Sequence, residues 1–163
     1  LKDKELKLLL HLGEASIPRY YDQKLAGSAP VIDQVEKTFA ARLGDPSAPL
    51  GAGIPLKGMI DRIDRDHPEG AIGVVIDYKT GRPQSEAQIR EGDYFRQLQF
   101  YAVLLEIAYP SLDPRAFILE FIGEREEHPV TRTFVITQEE KDRMKELIRH
   151  VWGKITSLDF TSL

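Results

Sequence analysis

The sequence predicts an α/β fold, a central mixed sheet flanked by helices, on three observations. Two hydrophobic runs ending in charged residues, over 58–64 and 74–81, flank the tight turn His67-Pro68-Glu69-Gly70, the pattern of an antiparallel hairpin. A strongly apolar helical stretch follows over 94–105. Beyond it come two more strand-like runs and a capped helix, an order that lays helices against a sheet.

Taken in order, an amphipathic helix is expected over residues 2–12, with Leu6, Leu9 and Leu10 as its apolar stripe. Ser16-Ile17-Pro18 opens a second helix through Tyr20 and Tyr21, and Gly27-Ser28-Ala29-Pro30 breaks it. A strand over 31–43 precedes a loop over 44–53 whose Gly, Pro and Ser content disfavours regular structure. The two hairpin strands come next. From Gly81 to Gly92 the chain is polar and reads as an irregular, mobile segment placed to touch a substrate. The helix bearing Gln97 runs to about Tyr109, where Pro110 and Pro114 end it before strands over 116–121 and 130–136. Thr137 with Glu140 forms a capping box for the last helix. There Met144, Leu147, Ile148, Val151, Trp152 and Ile155 supply a continuous apolar face, with Trp152 read as a packing anchor.

A length of 163 residues suits one domain with a sizeable core. The absence of cysteine excludes disulfides and gives no argument for secretion. With no signal peptide and no bilayer-length apolar run, a soluble, cytoplasmic protein without a membrane partner is expected. The chain starts at Leu1 on a helical pattern, which suggests a fragment of a longer polypeptide. Its net charge of −4 argues against a free-standing nucleic-acid binder, although an acidic site that holds cations reverses the local field a phosphate meets. Arg82, Arg90 and Arg96 follow the hairpin, where they can approach a polynucleotide backbone or remain solvated surface charge.

The hairpin carries the chemistry. Centred on Glu69, it sets Asp61 opposite Asp77, with the two side chains on one face. Directly opposed Cβ atoms lie roughly 4.5–5.5 Å apart, a span that one hard cation bridges with carboxylate oxygens. Lys79, two residues after Asp77, points the same way. Two unpaired anions on one face repel, so the arrangement is best explained with a metal present. The other reading is an ordinary cross-strand ion pair between Asp61 and Lys79, with Asp77 capping the strand. The acidic stretch from Asp61 to Asp66 does not fit a calcium loop, and Lys79-Thr80-Gly81 lacks the glycines of a phosphate loop. On the following helix Gln97 and Tyr101 share a face and can point at a common site, or serve as a surface amide and a core aromatic.

Together, Gly58-Met59-Ile60-Asp61-Arg62-Ile63-Asp64, Asp77-Tyr78-Lys79-Thr80-Gly81 and Gln97-Leu98-Gln99-Phe100-Tyr101 resemble the PD-(D/E)xK nucleases, and within them the RecB-type domain of recombination helicase–nucleases. The resemblance implies a restriction-endonuclease-like core in which Asp61, Asp77 and the Tyr78 carbonyl bind Mg²⁺ or Mn²⁺. It implies that Lys79 orients the attacking water and that Gln97 and Tyr101 complete the site. Val35-Glu36-Lys37-Thr38-Phe39 is similar to the family's glutamate-bearing first strand, which makes Glu36 a further candidate ligand. Many RecB-type domains add a histidine ligand from an earlier helix; the sole upstream candidate, His11, lacks the usual context.

The expectation is therefore a metal-dependent deoxyribonuclease, an exonuclease of DNA repair and recombination. Its partners would be single-stranded DNA or a duplex end and a helicase, in the same chain or another subunit. The alternatives are a catalytically silent DNA-binding scaffold of a helicase and a domain that a bound ion only stabilises.

Overall fold

Residues 54–79 fold as the hairpin expected about the turn His67-Pro68-Glu69-Gly70. The computed structural model describes residues 30–44, 53–123 and 130–158, with isolated positions before residue 30. In it β1 (Val31–Leu43), β2 (Ile54–Arg65) and β3 (Ile72–Lys79) form an antiparallel meander. The chain then crosses over through two helices, α1 (Glu86–Glu91) and α2 (Asp93–Ala108). It returns as β4 (Asp113–Phe121), parallel to β3, and β5 (Val130–Phe134), antiparallel to β4. α3 (Gln138–Ser157) closes the described fold. Among the described residues the strands lie side by side in chain order in one mixed sheet of five, which agrees with the α/β architecture expected.

The core lies between one sheet face and α2. Ile63 and Val75 from the hairpin, Leu119 and Phe121 from β4, and Phe134 from β5 meet Phe95, Leu98, Ala102 and Leu105 of the helix. Tyr101, Ala102, Val103, Leu104 and Leu105 are buried in succession, so α2 is covered on more than one side. Each fully buried Leu or Val there stabilises the fold by about 1.5–3 kcal/mol relative to exposure. At the far end of the hairpin, Arg65 pairs with Asp33 of β1 at 3.0 Å and donates to the Gly70 carbonyl and the Tyr109 hydroxyl. That clasp ties the turn to β1 and to the end of α2.

Four expectations need correction. The segment from Gly81 to Gly92 is not wholly irregular: Ser85 and Gln88 form a capping box that starts α1, whose Ile89 is fully buried. Pro114 belongs to β4 rather than to the connection before it. A register shift against Gly73 and Val74 removes the need for its missing N–H. β5 stops at Phe134, short of Ile136. The apolar face of α3 is not buried throughout: Met144 is enclosed, whereas Leu147, Val151, Trp152 and Ile155 keep 43%, 37%, 36% and 45% of their surface. Trp152 is thus only partly packed. The helix meets α2 through its first half, where Lys141 and Lys145 each reach Glu106 at 2.6 Å, and the second half runs past that contact.

The helices expected over 2–12 and from Ser16, and His11 with them, lie outside the described residues except for exposed positions such as Lys7 and Ile17. Most of the expected loop over 44–53 does too. Among the described residues, no helix is long and apolar enough to cross a membrane.

Candidate active site

β2 and β3 pair Ile63 with Val75 and Arg62 with Ile76, where the ladder ends one residue short of Asp61 and Asp77. The Asp61 carboxylate accepts the Tyr78 backbone N–H at 2.9 Å, so it reaches across to the site strand. A local irregularity aims it there. β1 pairs Val35 with Arg62 and Lys37 with Ile60 but leaves Glu36 and Asp61 out of the ladder, and Glu36 has a left-handed φ of 46°. Buried positions on β2 then change phase, from Leu56 and Ile60 to Ile63. A break of this kind in the ladder redirects a side chain at the cost of a strained residue.

Asp77 is only 2% exposed. Its Oδ1 accepts from Gln97 Nε2 at 3.1 Å and from the Tyr101 hydroxyl at 3.2 Å. Its Oδ2 lies 2.5 Å from Lys79 Nζ. Among the described residues Lys79 is the one partner of Oδ2. Gln97 orders the cluster: its Oε1 accepts from Lys79 Nζ at 2.8 Å, while its Nε2 also donates to the Tyr101 hydroxyl at 2.7 Å. The i, i+4 spacing on α2 brings amide and hydroxyl to the same carboxylate.

Electrostatics follow from burial. Desolvation raises the Asp77 pKa above the ordinary carboxylate value, and the nearby Asp61 charge adds to it; the Lys79 contact and the Tyr101 hydrogen bond oppose the rise without cancelling it. Burial likewise pushes the Tyr101 hydroxyl up, reinforced by the Asp77 charge, so it remains a proton donor. With two carboxylates against one ammonium, the site favours an added cation.

The residues fit a hard divalent ion. Buried Oδ2 of Asp77 has lone pairs to spare, Asp61 faces it, and the donors are oxygen. Among the described residues no group of three or more Asp, Glu, His or Cys side chains is placed to hold a metal. Mg²⁺ is commonly held by one or two carboxylates and completes its shell with water, so the pair suffices.

The structure thus brings Asp61, Asp77, Lys79, Gln97 and Tyr101 together. Glu36 is not among them: it stays exposed beside Asp61 on β1. Arg62 and Asp64 of the same sequence run pair with each other at 2.6 Å, and Arg62 donates to the Tyr78 hydroxyl, on the face away from Asp77. Arg90 lies over the Phe95 and Phe134 rings, Arg96 pairs with Asp93 at 3.2 Å, and Arg82 is exposed. One residue at the site escaped the sequence reading. Tyr94 places its ring 4.6 Å from Lys79 Nζ, and its position three residues before Gln97 was the available signal.

A five-stranded mixed sheet with an acid pair and a lysine at the edge of its hairpin is the framework of a nuclease family. The sequence model of the PD-(D/E)XK nuclease superfamily matches residues 4–162, and the chain belongs to that superfamily, with its restriction-endonuclease-like α/β fold. No curated protein matches the chain. Among solved structures it is similar to one described as the crystal structure of SSO0001, at 18% identity and a TM-score of 0.49. That match covers 78% of this chain and 51% of the other, so the chain spans about half the length of that relative.

Proposed function

We propose that this chain is a Mg²⁺- or Mn²⁺-dependent deoxyribonuclease that hydrolyses DNA phosphodiesters, an exonuclease domain of RecB type. Its carrying observation is the buried Asp77 carboxylate beside Asp61, whose second oxygen has no partner but Lys79 among the described residues. Asp61 and Asp77, with the Tyr78 carbonyl, would hold the ion. The bound ion supplies a water of lowered pKa and neutralises charge on the phosphoryl oxygens.

The chain's own residues do the rest. Lys79 orients the attacking water and stabilises negative charge as it develops on the phosphoryl group. Gln97 fixes both partners at once, through its carbonyl to Lys79 and its amide to Asp77. Tyr101 holds Asp77 Oδ1 and leaves Oδ2 for the ion. With a net charge of −4, affinity for single-stranded DNA or a duplex end would come largely from a helicase, in the same chain or as a partner, acting in repair and recombination.

The test is cleavage of labelled single- and double-stranded DNA in manganese, magnesium or chelator, beside Asp77→Ala and Lys79→Ala. Metal-dependent products that both substitutions abolish are expected. Metal binding without cleavage would instead favour a domain that the ion only stabilises, and neither binding nor cleavage would favour a scaffold role.

A further inference from the structure

We propose that Tyr94 is a positioning residue for Lys79, an aromatic seat that holds the ammonium without help from Asp77; the inference rests on the nuclease reading above. Lys79 Nζ lies 4.6 Å from the ring centroid, within the range where a cation is drawn to an aromatic face. An ammonium has three N–H donors. Here Gln97 Oε1 takes one, Asp77 Oδ2 lies beside the group, and the ring covers a third side.

The seat is braced from the core. The Tyr94 ring stands edge-on to Phe121, with centroids 6.1 Å apart at 62°. Phe121 is fully buried and is the ladder partner of Lys79 across β3 and β4. The Ile122 N–H also donates to the Lys79 carbonyl at 2.9 Å. Ring and ammonium are therefore fixed to adjacent positions on two paired strands. Tyr94, Gln97 and Tyr101 follow at i, i+3 and i+7 on one face of α2.

The need for such a seat comes from competition over one carboxylate. Asp77 Oδ2, which neutralises Lys79 in the protein alone, is also the oxygen left for a cation, and that cation would repel the ammonium. Lysine is a point charge on a flexible four-carbon stem, and one neutral hydrogen bond from Gln97 holds it weakly. The Tyr94 ring attracts positive charge and competes with no ion.

The test compares Tyr94→Phe, which keeps the ring, with Tyr94→Leu and Tyr94→Met, which fill the space without one. In metal-free protein, NMR should find the Lys79 ε-methylene protons shifted upfield by the ring in wild type and Tyr94→Phe, and returned to ordinary lysine positions in the other two. In cleavage assays Tyr94→Leu and Tyr94→Met should lose about tenfold in kcat at unchanged KM, while Tyr94→Phe keeps the wild-type rate. Unmoved Lys79 signals, or wild-type kcat without the ring, would overturn the proposal. Failure of the nuclease reading looks different: wild type itself then cuts no DNA, which removes the catalytic purpose of the seat even where the NMR shift persists.

Discussion

A side chain added at Gly58 tests how far the site depends on the close approach of α2 to β2. A Cβ there would lie 3.0 Å from Leu104 Cδ2, 3.2 Å from Phe100 Cε1 and 3.8 Å from Tyr101 Cε1. The first two distances are tight, but both atoms end side chains that can give by a few tenths of an ångström. Alanine also removes the backbone freedom of glycine, worth roughly 0.5–1 kcal/mol in a strand. Gly58→Ala should therefore be nearly neutral. Gly58→Val sends two further carbons into the same gap, and overpacking of this kind costs about 1–3 kcal/mol. After the gain from lost glycine freedom, the mid-range net is about 1.25 kcal/mol, or roughly 2.5–5 °C in Tm at this chain length. Since Tyr101 lines the gap and holds Asp77, the valine variant should also bind manganese more weakly. Urea denaturation of metal-free protein and a manganese titration measure the two effects. A valine variant as stable as the alanine one would refute the reasoning.

Two more expectations follow from charge. Asp77 has a raised folded pKa, so its contribution to metal-free stability is fully present below the ordinary Asp range and is lost as pH rises through the raised value. Asp77→Asn should remove that fall and gain on wild type toward neutral pH in chelator; parallel melting curves would contradict it. Burial pushes Glu106 up, but Lys141 and Lys145 more than offset it and leave its pKa lowered. Its stabilisation is present above the ordinary Glu range and lost as pH falls. Glu106→Gln should then be less stable than wild type near neutrality and equal to it in acid, as read by thermal melts at each pH.

The hairpin register was legible because a short turn between two strand-like runs leaves little freedom: Glu69 as its centre pairs Ile63 with Val75 and Arg62 with Ile76, which brings the neighbouring Asp61 and Asp77 close. Gln97 and Tyr101 were legible for a similar reason, since helical spacing alone puts them on one face. Other features depend on what lies nearby. The Ser85 and Gln88 capping box was present in the letters, but Gly81, Pro83 and Gly92 around it read as loop. Periodicity marked the stripe on α3 without saying how far its neighbour extends along it. Tyr94 stands beside Phe95 as one more aromatic of an apolar helix, and only the fold brings Lys79 over its ring. At Glu36 the left-handed turn breaks strand alternation, so no pattern of period two could place that side chain.

β3 is the middle strand of five, with a ladder on either side. Fraying at a sheet edge therefore does not reach Val75 or Ile76, and their amides should exchange with solvent only when the sheet opens as a whole. The repulsion between Asp61 and Asp77 has no cheap local escape on that strand. Such a framework keeps its tension in store, and an arriving ion releases it with little rearrangement of the backbone.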